Sequence, residues 1–269
     1  MIVLDLFAGT RSISRSFEAR GHKAYSVEWC KDFENISLYE DINNLTPSKI
    51  IELCHGKPNV IWASPDCTTY SVAGISHHRK QEPNGNLAPI SDYAKFCDKT
   101  NIHLINLIKE IKPDLFFIEN PRGGMRKMSF MAGLPRYTVT YCQYGDSRRK
   151  PTDIWTNHPH PNFKPMCHNG DTCHTPAPRG SKTGTQGLKT ARDRSIIPVE
   201  LCGHIVDICE EYLNQPLPIK TTYSSQKSLF DFFKISQNIT IFNAQKKMES
   251  VSVGYRSENG KLDRGDAEH

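Results

Sequence analysis

The sequence predicts an α/β fold, a parallel sheet with helices on both faces. Two observations predict it. Short apolar runs alternate with helical stretches through residues 1–120, the pattern of strands joined by crossover helices. The glycine-bearing, acidic and thiol residues of that region fall where the apolar runs stop, which is where such sheets bind ligands.

Ile2–Phe7 reads as the first strand and Ser12–Arg20 as the helix after it. Lys23–Glu28 is a second strand, Asn59–Ala63 a third and Leu115–Glu119 a fourth. A helix over Tyr93–Ile111 leads into the fourth, with Phe96, Ile102, Ile105 and Ile108 as its apolar face. Residues 157–195 are rich in Pro, Gly, His, Lys and Arg and predict a loop-rich insertion. Helical spacing returns over residues 196–213, with Leu201, Ile205, Ile208 and Leu213 on one face and Pro198 in the first turn. From residue 214 the chain is polar, the composition of a flexible tail. The expected division is a core over 1–156, an insertion over 157–195, a helix returning to the core over 196–213 and a tail over 214–269.

A chain of 269 residues, 37% hydrophobic, suffices for one sizeable domain with a small extension. Its net charge of +5 permits a polyanionic partner without requiring one. Met1–Phe7 carries Asp5 and no basic lead, so it reads as a strand and not as a targeting segment. No apolar run approaches the roughly 20 residues of a membrane span. Nine scattered cysteines, an odd number, fit free thiols in a reducing, cytoplasmic setting. A monomer is expected.

Three segments carry chemistry. Asp5-Leu-Phe-Ala-Gly9 ends a strand in a glycine turn before a helix, which lets backbone approach a cofactor closely. Glu28 ends the second strand, where an acid can bind ribose hydroxyls, and Asp41 offers a further carboxylate or simply an acidic cap. Cys67 leaves a buried strand for a loop of Thr, Ser and Gly, where a reactive thiol belongs, although a lone cysteine is more often inert. Glu119 closes a strongly apolar strand, a costly place for a carboxylate unless it is paired or used. A thiol and a carboxylate converging at neighbouring strand ends would give a nucleophile with an acid/base partner.

In order and content these segments resemble the DNA cytosine-5 methyltransferase family. Asp5, Phe7, Ala8 and Gly9 resemble the cofactor motif, Glu28 with Trp29 beside it the ribose-binding acid, and Asp41-Ile42 with Leu45 the adenine motif. Ser64-Pro65 through Gly74 resembles the nucleophile motif, with Cys67, Ser71, Ala73 and Gly74 in register. Glu119-Asn120 matches the pair that recognises the cytosine edge. Tyr144-Gly-Asp-Ser-Arg-Arg-Lys150 stands where the family has Gln-x-Arg-x-Arg, which makes Arg148 and Lys150 the basic candidates. The chain has Asp66 where the family has proline, Pro121 where it has valine, and no Gly-Asn pair near Arg194–Val199. The resemblance covers residues 1–156 well and 194–213 loosely. It implies a Rossmann-like S-adenosylmethionine-dependent methyltransferase fold with a small recognition insertion, S-adenosyl-L-methionine as cofactor and DNA as partner. It also implies a compact divergent member, of a kind expected in a phage or mobile element. The implied chemistry is a flipped cytosine, addition of the Cys67 thiolate to carbon 6, protonation of ring nitrogen 3 by Glu119, and methylation at carbon 5.

Two other readings stay open: an amino-methyltransferase, since Ser64-Pro65-Asp66 partly matches the Ser-Pro-Pro-aromatic motif of that class, and a silent nucleic-acid-binding protein that keeps the fold. Cys167-His168 and Cys173-His174, with Cys142, His158 and His160 nearby, offer zinc ligands, but Cys-x5-Cys is wider than the usual spacing. Zinc and free thiols therefore both remain, and no metal ligand is assigned. Arg179, Lys182, Lys189, Arg192 and Arg194 suit either phosphate contacts or a solvated loop. His77, His78, Arg79 and Lys80 follow the nucleophile loop and are candidates either to touch DNA or to close over a flipped base. In the tail, Gln226, Leu229, Phe232 and Phe233 resemble a sliding-clamp-binding motif, the other reading being a helix packed back on the domain.

Overall fold

The computed structural model describes residues 1–83, 85–176, 188 and 190–214. In chain order the elements are β1 (Ile2–Leu6), α1 (Ser12–Ala19), β2 (Lys23–Glu28), β3 (Leu38–Tyr39), α2 (Pro47–Leu53), β4 (Val60–Ala63) and α3 (Ile75–His78). There follow β5 (Arg79–Gln81), β6 (Leu87–Pro89), α4 (Asp92–Ile111), β7 (Leu115–Pro121), β8 (Arg136–Thr140), β9 (Pro151–Thr156), α5 (Ala191–Ser195) and α6 (Val199–Asn214). The clamp-like residues Gln226, Leu229, Phe232 and Phe233, and most of the basic run from Arg179 to Lys189, lie outside the described residues.

The predicted α/β architecture is present. Seven strands form one sheet in the order β3-β2-β1-β4-β7-β9-β8. The first five run parallel, with Asp5 opposite both Ser26 and Trp62, and Ala63 opposite Ile118. From β1 the chain steps outward through β2 and β3, then returns to β4 on the other side and continues to β7. Right-handed crossovers running in opposite directions put their helices on opposite faces and open a crevice between the ends of β1 and β4.

One face is covered by α1 and α6. Val3, Trp62 and Phe117 of the sheet share a core with Ile13 and Phe17 of α1 and with Leu201, Ile205 and Cys209 of α6. Arg20 pairs with Asp207 and Glu210, and His22 meets Glu210 at 2.8 Å, fastening α6 to the end of α1. The helix α4 begins where Ser91 accepts from Ala94 N and stops at Lys112 in the left-handed region. No described helix is long and apolar enough to cross a membrane.

The structure corrects two expectations. The sheet is mixed, because β9 runs antiparallel to both β7 and β8. The apolar face assigned to α4 is half right: Ile105 and Ile108 are buried, together with Cys97 and Leu104, but Phe96 is 47% and Ile102 45% exposed. Phe96 and Ile105 are nine residues apart, which at ~100° per residue puts them on opposite sides of the helix.

Candidate active site

The turn after β1 is held in an unusual backbone conformation. Phe7, Gly9 and Arg11 all have positive φ, at 56°, 48° and 57°. Such conformations cost about 1–2 kcal/mol at a non-glycine residue, so Phe7 and Arg11 make this a strained turn that its surroundings must hold. Glu28 anchors it. One of its carboxylate oxygens accepts from Gly9 N, and the other from Trp29 N and Cys30 N, each at 3.0 Å. A carboxylate has about four lone-pair sites, so one remains for an added hydroxyl. Trp29, beside it, is 73% exposed and leaves an indole face at the strand end.

Asp41 caps the short turn Ile42–Asn44 by accepting from Asn43 N at 2.8 Å, and Ile42 is buried. A cleft of about 550 Å³ is lined by Gly9, Thr10, Phe33, Arg192, Ile196 and Cys202 among others, a volume ordinary for small-ligand sites. Gly9 alone of the predicted cofactor residues lines it; Glu28, Trp29 and Asp41 stand at the next strand ends. The contribution of Phe33, Arg192 and Ile196 was missed, because no spacing in the sequence links residue 9 to residue 192.

Asp5 does something different. It is buried, and one oxygen accepts both Ser14 Oγ at 2.6 Å and Ser14 N at 3.2 Å, tying α1 to β1. Burial pushes its carboxyl up to about 7 from 3.8. The native state therefore holds a proton that the unfolded chain releases, so this group's stabilisation is complete below pH 3.8 and is lost as pH rises through 7. Asp5→Asn is expected to raise stability at pH 8 by about 1–3 kcal/mol, with the gain shrinking toward pH 5. Urea titrations at both pH values check this, and an equal change at both would show that the carboxyl does not titrate.

The segment that carries Cys67 leaves β4 in a tightly braced loop. Ser64 N still donates to Leu6 O, and Ser64 Oγ accepts from the Trp62 indole at 2.7 Å. Cys67 O accepts from Tyr70 N and Ser71 N, and Asp66 Oδ1 accepts from Thr68 N. Gly74 and Gly123 are required by close approach: a Cβ on either would stand 2.3 Å from Thr68 O or 2.4 Å from Tyr70 O. Behind the loop lies Arg79, its side chain fully buried. It donates to Thr69 O and Oγ1, forms two bonds to Asp98 of α4, and lies 4.2 Å over the Tyr70 ring. Tyr70 in turn donates to Asp98 at 2.6 Å. Arg79 therefore does not face DNA, as its place in the sequence suggested, but braces the loop that carries Cys67.

Cys67 is half-buried. Burial pushes its thiol up to about 11; Lys150 works against this, while Asp66 and Glu119 add to it. Three charged side chains, Lys150, Asp66 and Glu119, thus act on one sulfur. Glu119 is buried on β7 and accepts from Tyr141 OH at 3.1 Å. Asn120, fully buried, donates from Nδ2 to Pro65 O at 2.9 Å, so the strand that carries Glu119 is bonded directly to the loop that carries Cys67. Its Oδ1 is a buried acceptor without a partner among the described residues.

The two basic candidates part company. Lys150 lies 4.5 Å over the Tyr141 ring and donates to Arg194 O. Arg148 is pinned to Asp146 and donates to the carbonyls of Asp193, Arg194 and Ile196, closing the end of α5. Of the pair, Lys150 is the one that acts on the thiol.

A family model described as C-5 cytosine-specific DNA methylase matches residues 1–129. Among solved structures the chain is similar to a protein described as a DNA modification methyltransferase encoded within a prophage of E. coli, at 18% identity and TM-score 0.43, over 57% of this chain and 45% of that one. It is similar to the S. pombe Dnmt2 methyltransferase at 11% identity and TM-score 0.38, over 57% and 48% of the two chains. The Entamoeba histolytica methyltransferase EhMeth matches at 13% identity and TM-score 0.42, over 57% and 51%. The chain thus spans about half the length of these solved structures. No curated protein matches it.

Proposed function

We propose that the chain, whose residues 1–129 match the C-5 cytosine-specific DNA methylase family model, methylates carbon 5 of cytosine in DNA through a covalent Cys67 adduct. The observation that carries this is the Asn120–Pro65 hydrogen bond. It holds Glu119 and Cys67 at adjacent strand ends, where one ring can meet both.

The cofactor implied by the family is S-adenosyl-L-methionine, and the strand ends fit it. Gly9 offers backbone, Glu28 one remaining acceptor site, and Trp29 an exposed ring; Phe7, Ala8, Asp41, Ile42, Ser64 and Pro65 complete the proposed surround. When bound, it supplies an electrophilic methyl group. The chain's own residues do the rest. Cys67 thiolate adds to carbon 6 of a flipped cytosine, and Glu119 gives its proton to ring nitrogen 3, so that electron density reaches carbon 5. Asn120 Oδ1 accepts from the base's exocyclic amine, which would satisfy an acceptor that otherwise costs about 1–3 kcal/mol. Lys150 favours the thiolate. Loss of the carbon-5 proton then expels Cys67. Arg148 serves by fixing the segment that ends α5. Residues 157–195 are proposed as the target-recognition insertion, and Gln226, Leu229, Phe232 and Phe233 as a clamp-binding segment.

Expression in a host that lacks cytosine methylation, followed by sequencing that separates the two methylcytosines, tests this. The expected result is 5-methylcytosine within a recurring short sequence. N4-methylcytosine would mean an amino-methyltransferase. Unmodified DNA from a chain that still binds S-adenosylmethionine would mean a silent DNA-binding protein, the reading that the raised Cys67 thiol favours.

A further inference from the structure

Four side chains that the methyl-transfer reading does not use converge beside the β8–β9 hairpin: Cys142, Cys167, Cys173 and His174. Their donor atoms all lie within 4.8 Å of one another. Cys142 Sγ is 3.0 Å from Cys167 Sγ and 3.6 Å from Cys173 Sγ. His174 Nδ1 is 3.6 Å from Cys173 Sγ and 3.8 Å from Cys167 Sγ. A tetrahedral zinc ion, with bonds of ~2.3 Å to sulfur and ~2.0–2.1 Å to nitrogen, sets sulfur–sulfur edges near 3.8 Å and sulfur–nitrogen edges near 3.6 Å. Three of the four separations fall close to those edges, and the Cys142–Cys167 pair, at 3.0 Å, is shorter than its edge and would open on binding the ion.

Hydrogen-bond donors and a cation stand around the cluster. Gln143 Nε2 points its donor at Cys173 Sγ, 3.5 Å away. Arg149 donates to Cys167 O and brings a cation to a cluster whose three thiolates and one zinc ion would sum to a single negative charge. Thr140 Oγ1 accepts from Cys167 N, and Ser147 O from Thr175 N, fixing both ends of the ligand-bearing segment. That segment needs an anchor. Residues 157–176 form no helix or strand, yet Cys167 is 1% exposed, and a stretch so poor in core gains most from a metal clip. The nearby histidines are not part of the set. The His158 ring packs against Tyr212 at 5.1 Å, and His168 is exposed.

We propose that Cys142, Cys167, Cys173 and His174 bind one zinc ion in a closed, four-coordinate structural site. It joins the loop-rich segment to the end of β8. Cys142 directly follows Tyr141, whose hydroxyl holds Glu119, so the ion also steadies a residue that positions the proposed acid. The proposal stands apart from the methyl-transfer reading, because its readout is metal.

The test uses the full chain, purified in a reducing buffer without chelator and analysed by elemental mass spectrometry. About one zinc per chain is expected. Cys173→Ser and His174→Ala are expected to lose it, while His168→Ala keeps it. Should either variant fail to fold, cobalt exchanged into the unaltered chain gives the decisive spectrum. Thiolate-to-cobalt charge-transfer bands with strong tetrahedral d–d absorption would support the site. Octahedral cobalt, no retained metal after incubation with zinc, or a Cys142–Cys167 disulfide in a non-reduced peptide map would each overturn it.

Discussion

Cys67→Ala should form no covalent adduct with DNA carrying 5-fluorocytosine, where the unaltered chain traps itself as a complex that survives denaturing electrophoresis. The argument is chemical. After Cys67 adds to carbon 6 and carbon 5 is methylated, release needs a proton to leave carbon 5, and fluorine cannot leave as a proton does. Methyl transfer by the variant on ordinary DNA should fall by roughly 10⁴-fold or more, the order found when a covalent nucleophile is removed. The thiol adds a pH signature. Since burial raises it from 9.0 to about 11, the thiolate fraction of the free protein climbs steadily with pH from 7 to 10, and the rate of Cys67 alkylation should climb with it. Asp66→Asn removes one of the charges that oppose the thiolate and should speed alkylation at pH 8. An adduct that persists in Cys67→Ala would sink the nucleophile assignment.

Arg79→Met should destabilise the chain by about 3–5 kcal/mol, the cost of leaving one partner of a buried ion pair uncompensated. The guanidinium is fully buried, and it is shared between Asp98, the backbone at Thr69 and the face of Tyr70. Its loss strands Asp98 at 14% exposure and frees the loop on which Cys67 sits. Combining it with Asp98→Asn should recover part of the loss, because no unpaired charge is then left behind. Urea unfolding of the single and double variants measures this. A single-variant loss below about 1 kcal/mol, the scale of an exposed pair, would show that water replaces the guanidinium and that the loop is held by other contacts.

The strands that sequence patterning recovered most plainly are those with unbroken apolar runs. β1, β4 and β7 are buried on both faces, so their side chains had no polar alternation to blur them. Strand β9 was missed for the opposite reason. It is almost wholly buried, yet Thr152, Asp153 and Thr156 occupy it because each has a partner there: Asp153 holds Arg126 and Thr138, and Thr156 Oγ1 accepts from His158 N. A buried polar residue looks like a loop residue until its partner is known. The same limit governs the site. Strand ends could be read off, so the sequence put Gly9, Glu28, Cys67 and Glu119 at or just beyond the ends of β1, β2, β4 and β7, where the structure has them. The destinations of long side chains could not. Arg79 turns inward to a helix 19 residues on, and Arg148 and Lys150 divide between a helix end and a thiol according to where residues 193–196 come to lie.

The packing of α6 on α1 has a consequence for how the chain is made. About 180 residues separate the end of α1 from the start of α6, so at ~5–20 residues per second a ribosome takes about 10–40 s to deliver the second after the first. Throughout that interval Ile13 and Phe17 lack the apolar surface that covers them in the finished molecule. The wall of the cleft formed by Ile196 and Cys202 does not yet exist either. Nascent chains therefore pass through a long window in which α1 alone covers that face of the sheet, and its completion waits on a contact distant in sequence. A ligand that needs both walls of that cleft can select only chains whose synthesis has run past α6.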